Sequence, residues 1–134
     1  VVVTPHAGEF KRMFGDNPPE SKKARITMVE KTAKEYSITI LLKGPIDIIS
    51  NGTITYLNPT NTPGMTVGGT GDVLSGVIAG MLARNRNGLE SAVISTYFNG
   101  LAGKITQKKL GLHMTATDLL DALPGVMKPF DKIK

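Results

Sequence analysis

Hydrophobic and polar positions along this chain change from an alternating to a helical period, and the change marks its organisation. Residues 1–3 (VVV) form a β-branched run closed by Thr4-Pro5, which predicts a buried strand running into a loop, TPHAGEF. After Pro18-Pro19, residues 20–36 are rich in helix formers, with Ala24, Thr27, Met28 and Lys31 on one side, which predicts a surface helix. SITILLK (37–43) reads as a second strand, and strand, helix, strand predicts the right-handed βαβ unit of a parallel sheet. In IDIISNGTITYL, Asn51-Gly52 lies between β-branched runs and predicts a two-residue type I′ turn joining strands 46–50 and 53–57 as an antiparallel hairpin.

From Gly71 onward the period is helical. Val73, Leu74, Val77, Ile78, Met81 and Leu82 recur as adjacent pairs every four residues, while Gly76, Ala79, Gly80 and Ala83 keep the other faces small. A helix of this kind is expected to be buried on all sides. Further helices are predicted over 89–104 and 117–123, the last stopped by Pro124-Gly125. The expected fold is an α/β layer structure whose mixed sheet, parallel in part, carries an antiparallel hairpin.

Composition narrows the classes. The 134 residues suit one domain, and 40% hydrophobic with 20% charged residues is ordinary for a globular protein. The net charge of +5 permits an anionic partner, yet the lysines lie in small groups (Lys22-Lys23, Lys108-Lys109 and 128–134), and the four Phe and three Tyr do not interleave with them. That pattern points to solvated basic faces and no nucleic-acid partner. With no cysteine, disulfides, thiolate nucleophiles and Cys-ligated zinc are excluded, and a cytoplasmic location is the expectation. The longest apolar run, 73–83, is short of the ~20 residues that span a bilayer, so no membrane partner is expected. VVVTPH opens without methionine inside a predicted strand, so the chain is expected to be part of something longer.

The candidate chemistry centres on PGMTVGGTGDVLSG. It lacks the lysine of a Walker A loop, and Leu74 stands where a Rossmann fingerprint needs its third glycine. What remains is a set of N–H groups at a helix start, from Gly69, Thr70, Gly71 and Asp72, at the positive end of a helix dipole: an anion hole. Asp72 in such a loop has a plain reading as the helix cap. The run Gly68, Gly69, Gly71 exceeds what a cap needs, and a carboxylate beside an anion hole suits deprotonation of a hydroxyl as it attacks a phosphoryl group. His6 and Glu9 follow the first strand, and Lys43-Gly44 ends the second, so parallel strands would bring both to one sheet edge, with Lys43 as a phosphate counter-charge.

TPHAGEF, LLKGPIDII and PGMTVGGTGDVLSGVIAG together resemble the ADP-dependent NAD(P)H-hydrate dehydratases of the ribokinase-like superfamily. The resemblance implies a ribokinase-like fold, of which this chain is the C-terminal part of the domain. It also implies an activity in which ADP, with Mg²⁺, phosphorylates the hydroxyl of hydrated NADH or NADPH, and phosphate is then lost. By motif position Asp72 is the catalytic residue at that hydroxyl, and His6 contacts the hydrated dinucleotide. Lys43, Gly44, Pro45, Ile46 and Asp47 border the adenine nucleotide, joined by Gly71. Asp47 stands where the family has threonine and Asn61 where glycine is common, Asn61 being able to keep a left-handed turn. The family commonly forms homo-oligomers, and these 134 residues alone are expected to turn over little. An ATP-dependent small-molecule kinase of the same superfamily and a non-catalytic nucleotide-binding module are the alternatives.

Overall fold

The structure is a computed structural model that describes residues 1–84 and 87–132. Lys134, counted in the C-terminal basic group, lies outside the described residues. The elements run β1 (Val2–Val3), α1 (Ala7–Phe14), α2 (Lys22–Tyr36), β2 (Thr39–Leu42), β3 (Asp47–Ser50), β4 (Thr55–Asn58), α3 (Thr70–Leu82), α4 (Gly88–Leu110) and α5 (Ala116–Met127). The four strands form one sheet in the order β1-β2-β3-β4. β1 and β2 are parallel, with Val2 opposite Thr39, and the other two pairings are antiparallel.

Alternation along β2 divides the core. Ile40, Leu42 and Ile48 turn to one face against Phe10 of α1 and Val29 and Ala33 of α2. Leu41 and Ile49 turn to the other face against Leu74 and Ile78 of α3 and Leu89 and Ala92 of α4. β2 and β3 are buried at every position, as strands covered on both faces must be, and this makes their sequence read as a nearly continuous apolar run. A third cluster packs Phe98 and Ala102 of α4 against Leu119, Leu123 and Val126 of α5.

The expected mixed sheet is present, with differences in detail, among them that β1 is half-buried at the sheet edge and α4 runs on to Leu110. The crossover between β1 and β2 carries two helices, because TPHAGEF opens α1 and is not simply a loop. α2 buries Val29 and Ala33, whereas Ala24, Thr27 and Lys31 are exposed. Of the face read from the sequence only Met28 packs against the core, half-buried with Ile26 beside Val29 and Ala33; the other three positions are solvated. α3 is not buried all round: Thr70, Leu74 and Ile78 are buried while Ser75, Gly76, Ala79 and Gly80 are exposed. α5 continues through Pro124 to Met127. Proline removes one N–H and disfavours the helical state of the residue before it, costs that packing of Leu123 and Val126 offsets here.

The hairpin also differs. Ser50 pairs with Thr55, leaving a four-residue connection in place of a two-residue type I′ turn. Gly52 has φ +87° but Asn51 is not left-handed; its Oδ1 instead accepts from the N–H groups of Thr53 and Ile54 at 3.0 and 2.8 Å. The side chain adds to the backbone bond that the Asn51 N–H donates across the turn to the Ile54 carbonyl at 3.3 Å. A methyl group on Gly52 would sit 2.6 Å from the backbone of Lys34 as well as in a left-handed conformation. Gly52→Ala is therefore expected to destabilise the fold by roughly 2 kcal/mol or more, read as a lower urea midpoint at unchanged slope.

Candidate active site

The site is assembled at the end of the sheet where β1 and β2, running parallel, both terminate. The Lys43 N–H donates to the Pro5 carbonyl at 2.8 Å, which ties the loop after β1 to the end of β2. His6 then caps α1. Its Nδ1 accepts from the N–H groups of Gly8 and Glu9 at 3.1 and 3.2 Å, and its own N–H donates to Glu9 Oε2 at 2.8 Å. This is a capping box with histidine in the place usually held by serine or threonine. The bond to Glu9 holds its carboxyl below the usual glutamate value, with the neighbouring Lys43 adding to the effect.

The cap aims Glu9 across the gap. Its Oε2 lies 3.5 Å from Lys43 Nζ. The same ammonium sits 3.1 Å from where a Cβ on Gly71 would stand, so it faces the first turn of α3. The N-cap position of α3 is held by Gly69, which is left-handed at φ +91° and carries no side chain to cap the helix. Its first backbone bonds run from the N–H groups of Asp72 and Val73 to the Gly69 carbonyl, both at 3.1 Å. The Asp72 N–H is thus directed into the helix, which leaves those of Gly69, Thr70 and Gly71 ahead of the helical bonding pattern. The Thr70 hydroxyl is committed to the Met65 and Val67 carbonyls, and it holds the loop against the helix.

Asp72 is at the third helical position and is exposed, and its side chain does not cap α3. The plain reading of Asp72 as a helix cap therefore gives way to a carboxylate facing open space.

Two cavities flank this helix start. One, of about 720 Å³, is lined by Thr4, Glu9, Arg12, Asp72 and Ser75, among others. The second, of about 510 Å³, is lined by His6, Gly44, Pro45, Asp47, Asn61 and the apolar side chains of Pro63, Met65 and Leu74. Lys43, Thr70 and Gly71 line both cavities and so form their common wall. Of the residues expected from sequence, Asp72 faces only the first cavity and His6 only the second. Gly69 also faces the first. Ile46 lines neither and is exposed.

Asp47 is 2% exposed and turned to structural use. Its Oδ1 accepts from the Gly44 N–H at 3.0 Å and its Oδ2 from Asn58 Nδ2 at 3.1 Å. Asn61 Nδ2 donates to the Gly44 carbonyl at 2.9 Å, so side chains hold both backbone groups of Gly44. Asn61 does not adopt the left-handed turn; its amide is what the fold uses.

Burial pushes the Asp47 carboxyl above the ordinary value of 3.8, against the bonds from Asn58 and Gly44 that favour its ionised form. With the folded pKa raised, the native state holds the proton to higher pH than the unfolded chain. Stability from this group is therefore greatest below about 4 and declines as pH rises through the raised value. Urea midpoints of the parent and Asp47→Asn, compared between pH 4 and 7, are expected to diverge in the variant's favour as pH rises. A constant difference would contradict the assignment.

A family model described as NAD(P)H-hydrate dehydratase matches residues 1–125. The chain belongs to the NAD(P)H-hydrate dehydratase family. The ADP-dependent (S)-NAD(P)H-hydrate dehydratase of Nitrosopumilus maritimus is 65% identical over 133 residues, which cover 99% of this chain and 46% of that protein. Among solved structures, an ADP/ATP-dependent NAD(P)H-hydrate dehydratase from Bacillus subtilis, co-crystallised with ATP/Mg²⁺ and soaked with CoA, superposes with a TM-score of 0.89 at 34% identity. It is matched over 98% of this chain and 49% of its own. A ribokinase-like superfamily protein from Enterococcus faecalis matches with a TM-score of 0.81 at 30% identity over 97% of this chain and 44% of its own. The fold is ribokinase-like, and the chain spans about half the length of the dehydratase of Nitrosopumilus maritimus and about a quarter of the bifunctional NAD(P)H-hydrate repair enzymes it also matches.

Within this NAD(P)H-hydrate dehydratase family member, sequence reading missed several cavity residues. Arg12 and Met13 were missed; they share one face of α1 with the already named Glu9 by i, i+3, i+4 spacing, a signal open only once TPHAGEF is read as a helix start. Asn99, deep in α4, lines the second cavity, and its Oδ1 has no partner among the described residues; the same holds for Thr62 Oγ1. Polar atoms of this kind are expected to meet a ligand or water. They leave the second cavity with apolar walls, orphaned polar atoms and the Lys43 cation, a lining that could hold a nucleotide. No helix among the described residues is long and apolar enough to cross a membrane.

Proposed function

We propose that this chain carries the nucleotide-binding and catalytic elements of an ADP-dependent (S)-NAD(P)H-hydrate dehydratase. The observation that carries the reading is the shared wall: a lysine ammonium and a helix N-terminus face each other between two cavities, with a free carboxylate on one side only. Two positive groups so placed are stable together when an anion lies between them, and a transferring phosphoryl group is such an anion.

In this reading ADP occupies the second cavity and the hydrated dinucleotide the first, so His6, which lines only the second, would face ADP and not the dinucleotide. Asp72 takes the proton from the hydrate's hydroxyl as its oxygen attacks the terminal phosphorus of ADP. The phosphorus–oxygen bond to AMP breaks, and AMP leaves. Lys43 and the N–H groups of Gly69, Thr70 and Gly71 hold the negative phosphoryl oxygens. The carbon–oxygen bond of the phosphoester then breaks with the electron pair leaving on phosphate, and loss of a proton from the neighbouring carbon restores the dihydronicotinamide ring. Mg²⁺, when bound, supplies charge neutralisation on the nucleotide phosphates, its usual mode of binding. Among the described residues no three His, Asp or Glu side chains are grouped to hold a metal ion, so Mg²⁺ would come bound to the nucleotide phosphates.

The test is product analysis with the protein carrying this chain, ADP or ATP, Mg²⁺ and the (S)-hydrates of NADH and NADPH. The expected result is AMP, inorganic phosphate and the restored dinucleotide in equal amounts from ADP. Nucleotide consumed with a stable phosphoester and no free phosphate would identify a kinase and overturn the proposal. Nucleotide bound but never consumed would identify a binding module.

A further inference from the structure

We infer that Arg12 is a specificity residue of the first cavity, pairing with a phosphate group of the bound dinucleotide. The inference rests on the proposed function for the nature of the ligand.

Four charged side chains face this cavity: Glu9, Arg12, Lys43 and Asp72. Glu9 and Lys43 pair at 3.5 Å on the wall shared with the second cavity, where Lys43 is given to the transferring phosphoryl group. The charges left to the rest of the dinucleotide are Asp72 on the α3 side and Arg12 on the α1 side. Among the described residues Arg12 makes no ion pair.

Such a pair of walls suits a molecule with a neutral reacting group at one point and an anionic group farther along. A hydrated dinucleotide has this form: its hydroxyl is on the nicotinamide ring, and the ring is joined through ribose to a pyrophosphate. NADPH adds a 2′-phosphate. Arginine suits either group, because its planar fork of donors can make two parallel bonds to phosphate.

Helix position also distinguishes Arg12 from its neighbour. Lys11 and Arg12 both lie in the last turn of α1, where any cation interacts favourably with the helix dipole. Only Arg12 also faces the cavity, along with Met13 and, one turn earlier, Glu9. A dipole role alone would make the two equivalent.

The test compares the parent, Arg12→Gln, Arg12→Lys and Lys11→Gln in the protein carrying this chain. Steady-state constants are measured with both hydrates, and affinity is measured for unreacted NADH and NADPH. Arg12→Gln is expected to raise KM and weaken dinucleotide binding by roughly tenfold or more, with kcat within about twofold, as loss of a charged contact made equally in ground and transition states requires. Arg12→Lys should recover part of the loss, and Lys11→Gln should change nothing. Equal losses for NADH and NADPH would assign the contact to the pyrophosphate; a loss confined to NADPH would assign it to the 2′-phosphate. Unchanged KM and affinity for both, or a fall in kcat alone, would overturn the inference. If the parent binds the dinucleotides without turning over either hydrate, the proposed reaction falls, and the Arg12 contact is decided by the binding arm. If it binds neither, both fall.

Discussion

Asp72→Asn is expected to lower turnover by about 10²–10⁴-fold, the range in which a positioned general base contributes. ADP affinity should stay close to that of the parent. The substitution keeps the size and shape of the side chain and removes only its capacity to take a proton. Asp72 caps nothing and accepts no structural bond that its loss would expose, for the cap position of α3 is held by Gly69. Stability is therefore expected to change by less than about 1 kcal/mol, the range of surface substitutions. ADP lies, in the proposed arrangement, in the other cavity, which Asp72 does not line. Removing a negative charge beside the anion hole should, if anything, favour nucleotide binding. The informative pattern is thus a large loss of kcat with nucleotide affinity and melting temperature retained. Full activity in Asp72→Asn would reduce the carboxylate to a bystander.

Gly69→Ala is expected to act on both stability and activity. Gly69 holds φ +91°, a conformation that costs a residue with a Cβ about 1–2 kcal/mol. The added methyl would lie 2.9 Å from Cβ of Ala116, the first residue of α5, so α3 and α5 must move apart at their starts. The N–H groups of Thr70 and Gly71 move with that turn, and a misplacement of about 1 Å at a reacting centre can cost about 100-fold. A fall of that order in kcat/KM is expected, together with a lowered thermal midpoint. Two companions separate the causes. Ala116→Gly in the same background relieves the contact but not the backbone strain, and should restore activity more than stability. Gly68→Ala adds its methyl to open space and should leave stability near that of the parent.

Much of this site was legible before the fold because its chemistry is carried by backbone geometry that glycine advertises. The run Gly68, Gly69, Gly71 announced an uncapped helix start, and β1 and β2 being parallel was enough to bring His6, Glu9 and Lys43 to one edge. What escaped was set by side chains in unusual roles. Histidine is a rare N-cap, so α1 was hidden behind TPHAGEF, and with it the face that carries Glu9 and Arg12. Asn51 braces its turn with its side-chain amide and is not left-handed, so the hairpin connection read two residues too short. Asp47 and Asn61 read as departures from a nucleotide loop, yet they hold Gly44 by its N–H and its carbonyl. The apolar pattern of α3 did not distinguish a helix buried all round from one that buries only Thr70, Leu74 and Ile78, because alanine and glycine are compatible with either.

The central claim is that the start of α3, with Lys43, holds the phosphoryl group between the two cavities. Amide chemical shifts of the protein carrying this chain, followed as ADP and Mg²⁺ are added, test it most directly. The account predicts the largest changes at the N–H groups of Gly69, Thr70 and Gly71, accompanied by Lys43 and Gly44. Saturable binding that leaves those three amides unmoved would contradict it.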